Sequence, residues 1–398
     1  MNICFFTIQH ISRERGGLEN IVAYLSESLT SIGHRIFLVS AHNALENDTI
    51  LNNQYILPCK EVNDAENQKY LTHFFNRNII DIIVIHSNEI CCLDLIVSAN
   101  KNKIPIISVI HTDPAAATKS VQDNWDYWKL QYGPTKFILS YPLLFIRKLY
   151  QIHTRKKYTK TKHLYYYNQS SAVVLLSEKF FYSFKKLSGI TDTRKLFAIS
   201  NPRTIKVQEY KLDEKENIVL FVGRLLFQKR LDRLLKIWNR IKDKKDWKLV
   251  IIGDGPDRSF YETLCRKWNV ENVEFIGQCN PEPFYKKAKI LCMTSSYEGN
   301  PCVIQEALQN CIIPIAFESF ESITDTIINN KNGFLIKPFS IKQYTICLKE
   351  LINNQEKLRR FQRYIESSNQ EEHGYNCKIL ESWENLITVI CAKDETSN

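Results

Sequence analysis

The amino-acid sequence predicts an α/β protein made of two tandem Rossmann-like domains that face each other across a cleft. Short, nearly continuous apolar runs alternate with helix-like segments, a pattern typical of parallel strands buried on both faces. The pattern stops and then restarts halfway along the 398 residues. A chain of this length is also too long for one ordinary core and is expected to form two or three domains.

Apolar runs in the first half predict the strands of one sheet. Between the first two runs, Leu18, Ile21, Leu25 and Leu29 recur at helical spacing, and Gly33 then ends the predicted helix. The runs that we interpret as strands begin at Asn2 (NICFFTI), Arg35 (RIFLVSA), Asp81 (DIIVIHS), Pro105 (PIISVIHT) and Ala172 (AVVLLS).

A polar and charged stretch, residues 201–216, separates the two sets of runs and predicts an interdomain linker. The second set of strand-like runs begins at Asn217, Lys248, Val273, Ile290, Ile312 and Gly333. Alternating strands and helices predict a doubly wound unit on each side of the linker. The predicted domains are residues 1–205, completed by a C-terminal helix at 376–398, and residues 206–375.

The composition narrows the class of protein. With 44% hydrophobic and 24% charged residues, the sequence is that of a globular protein. No apolar stretch reaches the ~18 residues needed to span a bilayer, and the N-terminus lacks the features of a signal peptide, so we expect a cytoplasmic protein. The 12 cysteines show no C-x-x-C spacing and the chain has no D-x-D motif. We therefore expect neither a metal site nor a cofactor.

The net charge of +10 gathers in one segment. Residues 137–167 combine the basic stretch RKLYQIHTRKKYTKTKH with the aromatic residues of FILSYPLLFI and LYYY. This combination suits peripheral contact with an anionic membrane, here the inner face of the plasma membrane. A solvated basic helix explains it equally well. Nucleic acid binding is not predicted, because no recognised motif accompanies the charge.

The segment SSYEGNPCVIQEAL carries the strongest functional signal. A strand runs into a loop, and a helix is predicted to follow with Asn300 as its N-cap and Pro301 as its first residue. Glu298 in the loop and Glu306 on the helix place two carboxylates near the positive end of the helix dipole. A carboxylate accepts two hydroxyl protons of a sugar diol, and the amide groups of the first helical turn suit a diphosphate. A capping glutamate and a surface glutamate are the alternative interpretation.

A second segment, FVGRLLFQKRLDRLL, places Arg224 and Lys229 directly after the first strand of the second half. The planar donor fork of arginine and the compact charge of lysine match the two negative charges of a nucleotide diphosphate. Such a pair can stabilise a departing diphosphate without a metal. The alternative is the solvated start of a basic helix.

These segments together resemble the family 4 retaining glycosyltransferases, which have a GT-B fold. The resemblance runs over nearly the whole chain. GGLENIVAYLSESLTSIGHRIFLVS is similar to the family's first loop and helix, VGRLLFQK to its diphosphate-binding segment, and IIGDGPDR to its second strand and turn. Glu298 and Glu306 match the family's E-x7-E motif, and NNKNGFLI matches its NGFLV ending. The specificity lies in the order and spacing of these pieces.

The resemblance implies a role for each matching residue. Glu306 would bind the ribose hydroxyls and Glu298 the hydroxyls of the donor sugar. Arg224 and Lys229 would hold the diphosphate, and His111 would face the donor sugar from the other domain. The remaining donor-binding residues are Gly16 and Gly17 near the phosphates, Gly253 and Gly255 beside the base, and Gly299, Asn300, Pro301, Cys302 and Val303 at the start of the helix.

The sequence departs from the family pattern in three places. Arg230 stands where a glycine often follows the lysine of the phosphate segment, and Cys311 replaces a glycine five positions after Glu306. FESFES replaces the usual glycine pair that follows the strand IIPIAF. None of these changes removes a proposed ligand, but they weaken any inference about which sugar is carried.

The resemblance implies transfer of a sugar, with retained configuration, from a nucleotide diphosphate sugar to a glycan or lipid-linked acceptor. UDP is the default donor nucleotide, bacterial polysaccharide or lipopolysaccharide synthesis the expected setting, and the N-terminal domain the acceptor side. No carboxylate on the β face of the sugar can be identified from the sequence. We therefore expect front-face attack, in which a donor phosphate oxygen accepts the proton of the acceptor.

Three other classes of function compete with this one. A dinucleotide-dependent oxidoreductase needs G-x-G-x-x-G after a first strand, whereas the nearest match, GDGPDR, has Arg258 at the third glycine position. A non-catalytic nucleotide-sugar-binding or scaffold protein would be expected to have lost a carboxylate or phosphate ligand. A hydrolase or phosphorylase of the same fold is the closest rival, and donor turnover with and without acceptor distinguishes it from a transferase.

Overall fold

The structure is a computed structural model that describes residues 1–12, 16–42, 53–205, 211–371 and 374–395, without the side chains of 132–143, 370–371 and 393–395. The chain forms two compact units. The first contains Met1–Ala115, Arg155–Thr204 and Gly374–Asn398, and the second contains Ala116–Thr154 and Ile205–His373. Among the described residues, no helix is both long and apolar enough to cross a membrane.

The first unit is built on a seven-stranded parallel sheet. Its strands are β1 (Asn2–Thr7), β2 (Arg35–Ser40), β3 (Gln54–Ile56), β4 (Ile82–His86), β5 (Ile106–Ile110), β6 (Ala172–Leu175) and β7 (Leu196–Ala198), in the order β3-β2-β1-β4-β5-β6-β7. All residues of β4 and β5 are buried, as expected for central strands covered on both faces.

Helices connect these strands. They are α1 (Gly17–Ser31), α2 (Ala65–Asn78), α3 (Ile90–Ala99), the long α4 (Ala116–Gln169), α5 (Phe180–Ser188) and the C-terminal α13 (Tyr375–Glu395). Helix α1 buries Ile21, Leu25 and Leu29, the apolar face that the sequence predicts. Helix α13 belongs to the first unit, where the Asn376 side chain and the backbone of Arg203 exchange hydrogen bonds of 2.8 and 2.9 Å.

The first part of α4 differs from the predicted domain boundaries. The predicted N-terminal domain, residues 1–205, includes Ala116–Thr154, which clusters with the second unit instead. Ion pairs and ring contacts to residues beyond position 220 explain this placement. Tyr127, for example, packs edge-on against Phe227 with ring centroids 4.8 Å apart.

Helix α4 also bends back on itself. The Lys148 ammonium donates to the Gln122 side chain at 2.6 Å, although 26 positions separate the two residues. A straight helix would put them about 40 Å apart at its rise of ~1.5 Å per residue. The intervening sequence carries Gly133, Pro134 and Pro142, residue types that interrupt straight helices.

The second unit is built on a six-stranded parallel sheet. Its strands are β8 (Ile218–Val222), β9 (Lys248–Ile252), β10 (Val273–Gly277), β11 (Ile290–Met293), β12 (Ile313–Phe317) and β13 (Phe334–Ile336), in the order β10-β9-β8-β11-β12-β13. Its helices are α6 (Leu231–Arg240), α7 (Arg258–Lys267), α8 (Glu282–Lys287), α9 (Cys302–Gln309), α10 (Ile323–Thr326), α11 (Ile341–Asn353) and α12 (Gln355–Glu371).

Both sheets reverse their strand order at one point. The reversal lies between β1 and β4 in the first unit and between β8 and β11 in the second. In open parallel sheets, ligands bind at such a point, outside the carboxyl ends of the two strands. The predicted α/β class with two parallel sheets is confirmed, and the sheets themselves mark where a ligand site is expected.

Candidate active site

Two loops meet at the carboxyl edge of the second sheet, where its strand order reverses. One follows β8 and the other follows β11. The Ser296 amide donates to the Gln228 carbonyl oxygen at 2.9 Å, and the Gln228 side chain donates to the Tyr297 carbonyl oxygen at 2.7 Å. The two loops are therefore one hydrogen-bonded structure.

An ion pair lies at the junction of these loops. The Lys229 ammonium is 2.7 Å from a carboxylate oxygen of Glu298, and their side chains are 21% and 12% exposed. Lys229 ends a short 3-10 turn, Phe227–Lys229. Arg224, from the same loop, is exposed and forms no ion pair with the residues that the structure describes. The loop after β8 thus presents one paired and one solvated cation beside a carboxylate.

Glu306 lies deeper in the same unit. Its side chain is buried on α9, and the Tyr285 hydroxyl donates to its Oε2 at 2.6 Å. Burial raises the pKa of Glu306 to about 7, and the hydrogen bond from Tyr285 opposes part of that shift. Tyr285 lies on α8, 21 positions before Glu306 and without a motif around it, so no sequence pattern indicates its role.

The start of α9 differs by one residue from the prediction. Pro301, predicted as the first helical residue, is the N-cap, and the helix begins at Cys302 with Val303 in its first turn. The predicted N-cap, Asn300, instead accepts a hydrogen bond from the Gln305 side chain at 2.9 Å. The extended φ and ψ of Pro301 (−72° and 109°) are those of a cap and not of a helix, which accounts for the shift. The preceding residue, Gly299, accepts a hydrogen bond from the Ser322 hydroxyl through its carbonyl oxygen.

Gly253 and Gly255 have a structural reason to be glycine. Gly253 has a φ of 130°, and a Cβ added to it would overlap the carbonyl oxygen of Gly223. A Cβ added to Gly255 would come within 2.6 Å of the Leu225 carbonyl oxygen. These glycines allow the loop after β9 to lie directly against the loop that carries Arg224. Their predicted place beside a base stays a prediction.

The two residues that replace a family glycine keep a backbone conformation that favours glycine. Arg230 has a φ of 52° and Cys311 a φ of 50°, both in the left-handed region. The Cys311 side chain is fully buried. The Arg230 side chain is 3% exposed and is surrounded by carboxylates from α4 and α6. Burial of the Cys311 side chain and the ion pairs of Arg230 offset the strain of this conformation.

The other predicted site residues lie in the first unit, at the carboxyl edge of its sheet. Gly16 precedes α1 and Gly17 begins it, and a Cβ added to Gly17 would meet no described atom within 4 Å. His111 directly follows β5. The structure thus divides the predicted residues into a group of three in the first unit and a larger group in the second.

A second histidine accompanies His111. Nδ1 of His86, at the end of β4, lies 3.0 Å from Nε2 of His111. His86 is buried, and its ring packs against Phe5 at 5.0 Å between centroids. Burial lowers the pKa of His111 to about 4 and keeps the pKa of His86 well below its ordinary value, so both rings are neutral near pH 7. His86 was not among the predicted site residues, although it ends an apolar strand run and His111 directly follows another.

One group of side chains in the described part of the chain has the spacing of metal ligands. It consists of Cys59, Asp64 and Glu66, whose ligand atoms lie within 4.8 Å of one another, next to the start of α2. None of these is a predicted site residue.

Part of the chain is similar in sequence to known glycosyltransferases. Residues 202–368 match the family model described as Glycosyl transferases group 1. An uncharacterized glycosyltransferase of Haemophilus influenzae is 31% identical over 204 residues, which are 49% of this chain and 56% of that protein. The predicted resemblance to glycosyltransferases is confirmed. The matched family segment includes Arg224, Lys229, Glu298 and Glu306.

A second glycosyltransferase relative is the amylovoran biosynthesis glycosyltransferase AmsD of Erwinia amylovora. It is 31% identical over 175 residues, which are 44% of this chain and 48% of that protein. The chain thus spans about half the length of the curated glycosyltransferases that it matches.

The likeness to a solved glycosyltransferase structure extends over both units. The structure of a mutant of S. aureus TarM in complex with Fondaparinux, alpha-GlcNAc-glycerol and UDP superposes with a TM-score of 0.73 at 15% identity. The superposition covers 97% of this chain and 99% of that one. At this level of identity the likeness establishes the fold, which is that of the GT-B glycosyltransferases.

Proposed function

We propose that the chain is a retaining, metal-independent hexosyltransferase. It transfers a sugar from a nucleotide diphosphate sugar, with UDP as the nucleotide, to a glycan or lipid-linked acceptor in bacterial polysaccharide or lipopolysaccharide synthesis. The observation that carries the proposal is the Lys229–Glu298 ion pair, which joins the loops after β8 and β11 at 2.7 Å. A cation and a carboxylate at this point match a diphosphate and a sugar hydroxyl.

The diphosphate is assigned to Lys229, Arg224 and the first turn of α9. Lys229 is part-buried, so its charge is screened less by solvent than that of a surface lysine. Arg224 is exposed and has no ion-pair partner among the described residues, so its guanidinium can bind a phosphate without breaking an ion pair. The helix dipole at Cys302 and Val303 adds a positive potential of the right sign. The TarM structure, which shares the fold, contains UDP.

The ribose is assigned to Glu306 and the donor sugar to Glu298. A carboxylate can accept both hydroxyl protons of a ribose diol, and the Tyr285 hydroxyl holds one oxygen of Glu306 in place at 2.6 Å. One oxygen of Glu298 accepts a hydrogen bond from Lys229, and the second oxygen can accept one from a sugar hydroxyl. Lys229 therefore orients the Glu298 carboxylate that binds the sugar hydroxyl.

The reaction needs a stabilised leaving group. The bond between the anomeric carbon and the diphosphate oxygen breaks while the acceptor hydroxyl attacks from the same face, and the departing phosphate oxygen takes the proton of the acceptor. Negative charge that develops on the diphosphate is stabilised by Lys229 and Arg224. This front-face path retains the anomeric configuration without a carboxylate nucleophile and without a metal.

The lipid-linked acceptor suggests peripheral contact with an anionic membrane through the predicted segment 137–167. Within the part of α4 that belongs to the second unit, Phe145, Ile146, Leu149 and Tyr150 are 42%, 65%, 52% and 68% exposed. Exposed Lys156, Lys157 and Lys160 follow further along the same helix. Exposed apolar side chains next to lysines suit an anionic bilayer surface.

A vesicle experiment tests the membrane contact. The wild type should sediment with phosphatidylglycerol vesicles and not with phosphatidylcholine vesicles, and a variant with Ile146→Ser and Tyr150→Ser should lose this binding. Ile346→Ser, at an equally exposed position on α11, is the matched control. Equal binding by wild type and the double variant would refute the contact.

The donor site is tested by titration with a panel of nucleotide diphosphates without added metal. We expect tight binding of UDP. Glu306→Ala should weaken it by roughly 1–3 kcal/mol, because the two ribose hydroxyls lose the carboxylate that accepts their hydrogen bonds. Glu356→Ala, at an exposed position in the first turn of α12, should bind as the wild type does. Absence of binding to every nucleotide would refute the donor site and favour a non-catalytic scaffold.

Two activity measurements test the reaction type. Donor turnover that does not depend on acceptor would favour a hydrolase. An inverted product anomer, detected by NMR, would refute retention.

A further inference from the structure

Arg230 anchors a buried cluster of charges behind the proposed diphosphate site. Its guanidinium lies 3.1 Å from Asp123 and 2.8 Å from Asp126, both on α4, and its Nε donates to Asp232 at 3.0 Å. Arg233 adds a contact of 3.4 Å to Asp126. Asp123, Asp232 and both arginine side chains are less than 10% exposed. Removal of one partner from a buried ion pair is strongly destabilising, because it leaves an uncompensated buried charge.

The cluster is attached directly to the proposed donor-binding loops. Arg230 follows Lys229 in the chain, and the Thr294 hydroxyl contacts the carbonyl oxygens of both residues at 3.0 and 3.1 Å. The Ser296 hydroxyl donates to Asp123 at 2.5 Å. Asp123 therefore bonds to both loops at once, through Arg230 in one and Ser296 in the other.

The segment FESFES supports the loop after β11 from its other side. The Ser319 hydroxyl donates to the Ser295 carbonyl oxygen at 2.8 Å, and the Ser322 hydroxyl donates to the Gly299 carbonyl oxygen. The Lys119 ammonium of α4 donates to the Ser319 carbonyl oxygen at 3.0 Å. Two of the three departures from the family pattern therefore lie at this junction. Arg230 pairs with α4, and the segment FESFES supports the loop after β11 and accepts a hydrogen bond from α4.

We propose that Asp123 and Asp126 of α4 are positioning residues for the diphosphate site, which act through Arg230 to fix Lys229 and the loop Ser295–Gly299. This inference rests on the proposed function. Arg230 directly follows Lys229 and has a φ of 52°, so the ion pairs that hold its side chain also restrict the backbone from which Lys229 extends. The carboxylates of α4 hold the Arg230 side chain that accompanies this conformation.

Arg230→Gly separates the ion pairs from the backbone. Glycine adopts a φ of 52° without strain, so the variant removes the guanidinium and keeps the conformation accessible. Asp126→Asn is the milder companion, because the Asp126 side chain is 26% exposed and solvent can compensate for part of the lost charge. Arg230→Lys retains the cation and should recover part of any effect. Glu216→Gln, which breaks the exposed Lys287–Glu216 pair of 2.9 Å in the same unit, is the control.

The readout is the ratio of UDP affinity to UMP affinity, measured by calorimetry together with the melting temperature of each variant. Lys229→Ala provides the reference for loss of a diphosphate contact, and Glu306→Ala should weaken both nucleotides alike. We expect Arg230→Gly and Asp126→Asn to lower the ratio as Lys229→Ala does, by about tenfold for Arg230→Gly, since a charge-assisted contact to the second phosphate is misplaced.

A lower melting temperature with an unchanged ratio would show that the cluster only stabilises the fold, and would overturn the inference while leaving the proposed function intact. Failure of the wild type to bind any nucleotide diphosphate would overturn both. Recovery of the ratio in Arg230→Lys would support positioning by charge.

Discussion

The Lys229 ammonium lies 2.7 Å from the Glu298 carboxylate, and the two residues come from loops that follow neighbouring strands at the reversal of the second sheet. The two residues are 69 positions apart in the sequence, and the parallel pairing of β8 with β11 brings them together. Each residue is the nearest described opposite charge of the other, so ligand binding at either one changes the environment of both.

Substitution of either partner should affect different parts of the donor. Lys229→Ala should weaken UDP binding by about 10–100-fold, because a part-buried cation that faces the diphosphate is lost. Glu298→Gln should leave UDP affinity within a few fold of the wild type, because an amide oxygen can still accept the hydrogen bond from Lys229. It should lower the turnover of UDP-sugar, since the sugar hydroxyls lose an anionic acceptor. Calorimetry with UDP and a coupled UDP-release assay measure the two effects. Equal effects of both variants on UDP affinity would contradict the division of roles.

The raised pKa of Glu306 predicts that nucleotide affinity depends on pH. Its carboxyl group has a pKa of about 7 in the folded chain, above its ordinary value of 4.5, mainly because it is buried. The ribose hydroxyls need the ionised form as acceptor, so binding should strengthen as pH rises from 5 to about 7 and then level off. Ionisation of this buried group costs stability, so the free protein should lose stability over the same interval. Tyr285→Phe removes a hydrogen bond to the carboxylate and should move the midpoint of binding to higher pH.

Glu306→Gln is the control for this pH dependence. The phosphates of the ligand also titrate, but they do so equally with both proteins, so the difference between wild type and Glu306→Gln reports Glu306 alone. Isothermal titrations of UMP and UDP at several pH values measure it. Identical pH profiles for the two proteins would contradict the assignment of Glu306 to the ribose.

Two glycines should respond differently to substitution. Gly253→Ala should lower the free energy of unfolding by about 2 kcal/mol or more, because its Cβ would overlap the Gly223 carbonyl oxygen at a positive φ. It should also weaken UDP binding, since Gly223 directly precedes Arg224. Gly17→Ala should leave the melting temperature unchanged, because no described atom lies within 4 Å of the new Cβ. A loss of turnover in Gly17→Ala at unchanged stability would support the approach of a ligand to this loop. Chemical denaturation of both variants and of the wild type makes the comparison.

The parts of the fold that follow from local patterns could be predicted from the sequence. The central strands are fully apolar, and the loops after β8 and β11 carry charged residues at strand ends, so Lys229 and Glu298 were found. The edge strands β3 and β7 have three residues each and lie outside any motif, so no pattern predicted them. The equally short β13 was predicted because it lies in the segment NNKNGFLI. The start of α9 was misplaced by one residue, since Pro301 suits both the cap and the first helical position.

Contacts between distant segments could not be predicted in the same way. Asp123 pairs with Arg230 across 107 positions, and Tyr285 reaches Glu306 from a helix without a motif. Periodicity shows that a residue is buried but not which element it faces. The assignment of Ala116–Thr154 to the second unit depends on such contacts, and the predicted boundary at residue 205 therefore placed this segment with the first unit.

The His86–His111 pair should fix which nitrogen of His111 carries its proton. Nε2 of His86 is buried and has no hydrogen-bond partner among the described residues. A buried N–H without an acceptor costs more than a bare nitrogen lone pair, so the proton of His86 should sit on Nδ1 and point to Nε2 of His111. His111 is then protonated on Nδ1, and this N–H is the donor that remains for a ligand at the end of β5. Long-range proton–nitrogen NMR spectra identify the tautomer directly.

Two variants separate the hydrogen bond from the packing of His86. His86→Asn places an amide nitrogen near the position of Nδ1 and should preserve the Nδ1–H form of His111. His86→Phe keeps a ring against Phe5 but removes the donor, so His111 should become a mixture of tautomers and sugar turnover should fall more than UDP affinity. The signals of His163, which stacks on Phe184 elsewhere in the first unit, should not change in either variant and serve as the internal control. An Nε2–H form of His111 in the wild type would show that the proton sits on the opposite side of the pair, and His86 would then be an acceptor and not a donor.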